Sequence, residues 1–382
     1  DMIRLMFEKE KPDAIMIYTD PRFWIWLFQM EHEIRQHIPI MYYNIWDDLP
    51  YPMWNQPYYE SCDLMMNISK QTVNIVKNVR KNKPVTDTDN TYVPHGINEK
   101  YFFPIGEKDK VNLKNMNELK KSILHGKDFP FIVLYNNRNI RRKLPGDVIM
   151  AYKKLADEVG HENVALVMHT APIDDNGTDL PEVALNMIGE DANVYFSNQK
   201  LDPLGMNYLY NLSDVTINMA SNEGFGLATC ESLMAGTPIV VNVTGGLQDQ
   251  CGFKLKDKLL TYQDYYEIES LHDRDKWMNN PDLTWGEWVK PIWPACRSLQ
   301  GSPQTPYIYD DRPRWEDAGD ALIEWYNTPK EERIAVGKKG NEFVHSPETM
   351  MTAKNMCSRF VEDIDRCLDE FEPRKRYTLY KA

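Results

Sequence analysis

The chain has 382 residues, 42% hydrophobic and 26% charged, with a formal net charge of −13. That length exceeds one ordinary core and suits two domains, and no run of eighteen apolar residues is present to span a membrane. The acidic balance argues against a general nucleic-acid binder, and six cysteines with no CxxC pair or zinc-type Cys/His cluster read as free thiols of a reducing cytosol.

In chain order, short apolar runs alternate with helical patterns. WIWLFQM (Trp24–Met30) reads as a core helix. KPDAIMIYTD (Lys11–Asp20), IPIMYYNIW (Ile38–Trp46), SCDLMMNIS (Ser61–Ser69) and TYVPHGIN (Thr91–Asn98) read as strands, with KQTVNIVKNVRKN (Lys70–Asn82) a helix between the last two. A polar stretch over 106–128 separates them from a second series. There FPFIVLYNN (Phe129–Asn137), ENVALVMHT (Glu162–Thr170), ANVYFSN (Ala192–Asn198), SDVTINMA (Ser213–Ala220) and TPIVVNV (Thr237–Val243) are strand-like, interleaved with helices at 147–160 and 202–213. Strand–helix alternation predicts an α/β chain of two doubly wound, Rossmann-like units. The expected domains are 1–103, 104–350 with an ordered functional insertion over about 252–311, and a C-terminal helix over 351–382 returning to the first domain.

The stretch SNEGFGLATCESLMAGTPIVV (Ser221–Val241) turns from strand to helix at EGFG. Amides at a helix start lack partners and carry partial positive charge, so such a turn can hold phosphate, with small residues letting the anion approach. It does not complete GxGxxG, which argues against a nucleotide-dependent dehydrogenase. Glu223 and Glu231 bracket the turn; eight helical residues would span roughly 12 Å, the reach from a ribose across a diphosphate. RNIRRKLPGD sets Arg138, Arg141, Arg142 and Lys143 just past a strand's C-terminal end, where open α/β sheets bind ligands and where cations would meet a diphosphate.

These residues resemble the retaining GT-B glycosyltransferases of family 4. The resemblance rests on Glu223-Gly224-Phe225-Gly226-Leu227, Glu231, Met234–Val241 and Gly245-Gly246, on Arg138 and Lys143 five apart, and on TYVPHGINEKYFFP. It implies a GT-B fold and transfer of a sugar from a nucleotide-diphosphate sugar, a substrate and not a cofactor, without a metal. Glu231 is implied to bind the ribose, Arg138 and Lys143 to neutralise the departing diphosphate, and Glu223 to contact the donor sugar. Gly224, Phe225, Gly226 and Leu227, with Asn218 and Ser221 leading in, are implied to form the donor loop. On the acceptor side, Trp46 and Asp47 stand where the family often has histidine, with Asp47 a candidate catalytic carboxylate, and His95 replaces a common asparagine. The family's first strand and glycine-rich loop are missing, so residue 1 is expected to fall partway into the first domain.

The acceptor is expected to be a glycan or lipid-linked sugar. The alternative is a hydroxylated base of phage DNA, since GSPQTPYIYDDR (Gly301–Arg312) resembles segments of phage-encoded glycosyltransferases and the tryptophans and tyrosines of the insertion suit stacking. Lys70, Lys77, Arg80, Lys81 and Lys83 are a candidate surface for an anionic acceptor. A nucleotide-sugar-binding protein without turnover is the reading from another class. The expected location is the cytoplasm.

Overall fold

The computed structural model describes residues 2–267, 275–276 and 278–375. The chain divides into two compact units: 1–94 with 261–280 and 355–382, and 95–260 with 281–354. The boundary therefore falls at 94/95, not 103/104, and part of the insertion belongs with the first unit.

In the first unit, β1 (Ile15–Tyr18), β2 (Ile40–Asn44), β3 (Leu64–Asn67) and β4 (Asn90–Tyr92) form a parallel sheet in that order. β2 and β3 are buried along their whole length, which is why they read as unbroken apolar runs. The following helix, Lys70–Val79, is capped by Ser69, whose Oγ accepts from the Thr72 amide at 3.0 Å. Its basic residues do not form an exposed face: Lys70 and Arg80 are buried, and Arg80 pairs with Asp89 at 2.8 Å. The helix Ala353–Glu370 belongs to this unit from residue 355 onward, where Phe360 packs edge-on against Tyr43 and Asp363 accepts from Thr91 Oγ1 at 2.6 Å.

The second unit has a six-stranded sheet. Its strands are β5 (Phe131–Asn136), β6 (Val164–His169), β7 (Val194–Phe196), β8 (Val215–Asn218), β9 (Ile239–Asn242) and, beyond the short strands β10 (Lys254–Leu255), β11 (Lys258–Leu259) and β12 (Leu283–Thr284), β13 (Val289–Ile292). The order is β13-β9-β8-β5-β6-β7, all parallel, so β5 and β8 lie side by side at the centre. Phe131, Val133 and Tyr135 of β5 pack with Val148, Ile149 and Tyr152 of the helix Pro145–Val159 and with Leu322 and Trp325 of the helix Trp315–Asn327. The polar stretch read as a separator contains a helix, Lys110–Ile123, capped by Asp109, with Ile123 its buried residue. Within the insertion, β10–β12 form a small antiparallel sheet, β13 extends the main sheet, and β14 (Pro294–Ser302) with β15 (Thr305–Pro313) makes an antiparallel hairpin. Of the six cysteines, all free, Cys62, Cys230 and Cys251 are buried, whereas Cys296 and Cys357 are exposed. Among the described residues no helix is long and apolar enough to cross a membrane.

Candidate active site

The adjacent C-terminal ends of β5 and β8 define the site. The chain leaves β8 at Asn218, crosses a loop, and enters the helix Leu227–Met234 through Gly226. Gly226 has φ +86°, and a Cβ there would lie 2.5 Å from the Leu247 side chain, so both conformation and space require glycine. The helix starts at Leu227, so only half of the interval from Glu223 to Glu231 is helical and the 12 Å helical span does not describe it. Leu227 itself is 50% exposed.

Lys143 and two asparagines converge on Glu223. Lys143 Nζ lies 2.6 Å from Oε1, and Asn218 Nδ2 and Asn137 Nδ2 donate to the same oxygen at 3.3 and 3.4 Å. Burial alone would push this carboxyl up; the Lys143 charge and hydrogen bond, with Arg142 and Asn218, hold it below the usual range. Lys143 is buried because the single turn Arg141–Lys143, closed by Leu144 in the left-handed region, directs it inward.

Among the described residues, no cation pairs with Glu231. Its Oε2 accepts from Tyr210 Oη at 2.7 Å, and Tyr210 Oη accepts from Asn136 Nδ2 at 2.7 Å. The adjacent residues Asn136 and Asn137 at the end of β5 thus reach both glutamates, one through Tyr210 and one directly. Among the described residues, no protein donor reaches Glu231 Oε1 or Glu223 Oε2. Burial raises the Glu231 carboxyl to about 7, against the lowering effect of the Tyr210 hydrogen bond.

Stability against pH follows from that shift. Between pH 4.5 and 7 the unfolded chain has released this proton while the folded chain still holds it, so Glu231 makes stability fall as pH rises, by at most about 1.4 kcal/mol per pH unit. Glu231→Gln is expected to flatten stability over that window, read from urea melts at pH 5, 6 and 7. An unchanged slope would count against a protonated Glu231.

The loop is braced from several sides. Arg142 donates from Nη1 to the Asn222 carbonyl at 2.7 Å, and its own carbonyl accepts from the Ser221 amide at 2.8 Å. Gln250 Nε2 donates to the Phe225 and Gly226 carbonyls at 2.7 and 2.9 Å. Gly246 donates its amide to the Glu223 carbonyl at 2.8 Å, and a Cβ on Gly246 would lie 2.2 Å from the Gly224 carbonyl oxygen. Asn218 Oδ1 accepts from the Ala220 amide, and the buried Ser221 hydroxyl donates to Asn222 Oδ1 at 2.9 Å.

The remaining expected residues divide. Arg138 is largely exposed and its Nε lies 3.3 Å from Asp174 Oδ2; Lys143 is the residue that meets Glu223, and Arg142 the one that meets the loop. His95 lies edge-on to Phe225, ring centroids 5.5 Å apart, so it borders the loop between β8 and the helix Leu227–Met234; burial pushes its pKa down to about 4 and keeps it neutral at pH 7. Trp46 is corrected to a core residue of the first unit. Its indole N–H donates to the Asp48 carbonyl at 2.8 Å and its ring packs edge-on against Trp54. Asp47 follows it in the irregular stretch after β2, where its carbonyl accepts from Gln71 Nε2 at 2.9 Å. Sequence reasoning missed Asn136, Asn137, Tyr210 and Gln250; the doubled asparagine ending FPFIVLYNN was the available signal. Among the described residues no three His, Cys, Asp or Glu side chains come together as a metal site requires.

Parallel sheets in both units, with this loop at the sheet edge of the second, are the architecture of the GT-B glycosyltransferases, and solved structures of that fold match nearly the whole chain. Sucrose-phosphate synthase from Thermosynechococcus elongatus superposes with a TM-score of 0.63 at 14% identity, covering 96% of this chain and 76% of that one. Anabaena HepE, solved in complex with UDP and glucose, gives 0.64 at 10% identity, covering 95% and 81%. In sequence, residues 122–280 match the family described as "Family 4 Glycosyltransferase in conflict systems". Trehalose synthase of Rubrobacter xylanophilus is 34% identical over 110 residues, 28% of this chain and 26% of that protein. The chain thus spans about a quarter of the length of the curated relatives it matches. The structural likenesses show the GT-B fold, and the segment 122–280 is similar to family 4 glycosyltransferases.

Proposed function

We propose that the chain transfers a sugar from a nucleoside-diphosphate sugar to a hydroxyl acceptor with retention at the anomeric carbon. The observation that carries this reading is the linkage of Glu223 and Glu231 at one strand end, each with one carboxylate oxygen bonded to the described residues and one that none of them reaches. On this reading Glu231 Oε1 accepts from ribose hydroxyls and Glu223 Oε2 from hydroxyls of the donor sugar. When the anomeric C–O bond breaks, its electron pair leaves on the diphosphate while the ring gains positive charge. Lys143, Arg142, the more exposed Arg138 and the amides at the start of the helix at Leu227 stabilise the leaving anion without rearranging, and the acceptor hydroxyl oxygen forms the new bond on the same face as its proton passes to the departing diphosphate oxygen. These side chains supply the charge a metal would otherwise bring.

UDP-sugars are the first donors to test, since the HepE structure is described with UDP and glucose and an Escherichia coli neighbour with UDP-2-fluoro glucose. For the acceptor, a glycan or lipid-linked sugar suits the net charge of −13 and the burial of Lys70 and Arg80. The conflict-system description of the matched family favours including hydroxylated DNA as a second acceptor. Binding to DNA that collapses with added salt would support it over a neutral glycan.

The deciding experiment is a thermal-shift panel of UDP, GDP, ADP, CDP and TDP on the wild type and Glu231→Ala. A rise with one nucleotide, lost in Glu231→Ala, is the expected outcome; no rise with any would overturn the donor site. Release of that nucleotide from its sugar conjugate then separates a transferase from a protein that only binds.

A further inference from the structure

The hairpin β14–β15 carries Asp310 and Asp311, adjacent in sequence and 2% and 3% exposed. Two buried carboxylates are expensive on a hairpin that could close with neutral side chains. Both are engaged with the donor loop. Asp311 accepts from Arg297 Nε at 2.7 Å and from Thr244 Oγ1 at 2.9 Å, while its amide donates to the Ser221 carbonyl at 3.2 Å. Asn242 Nδ2 ties the two backbones, donating to the Asp311 carbonyl at 2.8 Å and the Ala220 carbonyl at 2.9 Å. Asp310 Oδ1 lies 3.5 Å from the Ser221 hydroxyl oxygen, and its Oδ2 pairs with Arg312 at 3.2 Å and Arg141 at 3.8 Å. Asn222 Nδ2 donates to the Tyr309 carbonyl at 2.7 Å.

Ser221 and Asn222 are therefore bonded both to the hairpin and to Arg142, immediately before Glu223. Arg141, in the same single turn as Lys143, is drawn to Asp310. We propose that this hairpin is a positioning element of the donor site: Asp311, anchored by Arg297, and Asp310 fix Ser221 and Asn222, and with them Glu223 and the Arg141–Lys143 turn. The inference rests on the donor-site reading above. Neither aspartate is assigned contact with the donor. They act through the loop and the turn, where a displacement of about 1 Å is enough to weaken a preorganised site strongly.

The test measures dissociation constants at 15 °C for the same five nucleoside diphosphates on the full chain. Asp311→Asn keeps an oxygen for Thr244 but loses the charge that pairs with Arg297; Arg297→Met breaks the same pair from the side away from the loop. Val336→Ala, a core change in the helix Lys330–His345, is the control for destabilisation alone. The expected result is affinity weakened by about tenfold or more in Asp311→Asn and Arg297→Met. Arg297→Lys should restore most of it, and Val336→Ala should bind as wild type despite a lowered melting temperature. Binding within about twofold of wild type in both variants, where the wild type binds, would overturn the hairpin's role and leave the donor site standing. A wild type that binds none of the five removes the donor site and the inference together. Should Asp311→Asn not fold, the Arg297→Met and Arg297→Lys pair decides alone.

Discussion

Lys143→Met is expected to lower sugar-transfer turnover by about a hundredfold to a thousandfold, the effect of removing one preorganised charge from a developing anion. The same change should cost about 3–5 kcal/mol of stability at neutral pH, because it strands Glu223 as a buried carboxylate with neutral donors beside it. The two losses have different pH signatures. In the wild type the Glu223 carboxyl is depressed, so its contribution is present above the unfolded value of 4.5 and lost as pH falls through the folded pKa. Without Lys143, burial dominates and the carboxyl moves up. The variant should therefore be destabilised more at pH 8 than at pH 5. Urea melts at the two values and release of the nucleotide that the panel identifies from its sugar conjugate measure these effects separately. Turnover within about threefold of wild type would remove Lys143 from the chemistry, even if stability fell. Lys143→Arg is a probe of fit: the forked guanidinium has to occupy a buried position built for one ammonium 2.6 Å from Glu223.

All strands of the two parallel sheets but β13, which lies in the insertion, were legible because most are buried on both faces and read as unbroken apolar runs, such as FIVL in β5 and IVV in β9. Charge made part of the site legible as well: Glu223, Glu231 and Lys143 are conspicuous beside glycine and a strand end. Which of four neighbouring cations turns inward was not, because the single turn at 141–143 decides it, and Arg138 and Lys143 look alike from the sequence. Neutral polar residues gave less signal still. Asn136, Asn137, Tyr210 and Gln250 act through geometry, and nothing in their types distinguishes them from ordinary strand ends and helix faces. Trp46 misled in the opposite direction: an aromatic beside two aspartates suggested a binding surface, and its ring fills the first unit's core. The hairpin β14–β15 escaped because irregularities in its register break the alternation a strand is read from. The helix Lys110–Ile123 escaped although Leu113, Met116, Leu119 and Ile123 recur at helical spacing, because the lysines and asparagines between them read as a polar separator.

Gly245→Ala is expected to abolish nucleotide binding in a chain that still folds, at a cost of about 2–3 kcal/mol. Gly245 has φ +48°, and a Cβ at that position would sit 2.0 Å from the Glu223 carbonyl oxygen. The atom it meets is backbone, so no rotamer change relieves the contact; the loop itself must retreat. Retreat has two consequences. The hydrogen bond from the Gly246 amide to the Glu223 carbonyl, 2.8 Å long, must stretch, and the carboxylate that Lys143, Asn137 and Asn218 hold moves with its backbone. Gly106→Ala is the matched control, since a Cβ there meets nothing within 4 Å and the backbone is not in the left-handed region. It should leave melting and binding unchanged. If, for the nucleotide that the panel identifies, Gly245→Ala binds as wild type does while losing the expected stability, the glycine pair serves packing alone. If binding falls by tenfold or more alongside an intact sheet in hydrogen exchange, the close backbone approach of Gly245 and Gly246 is what sets the position of Glu223.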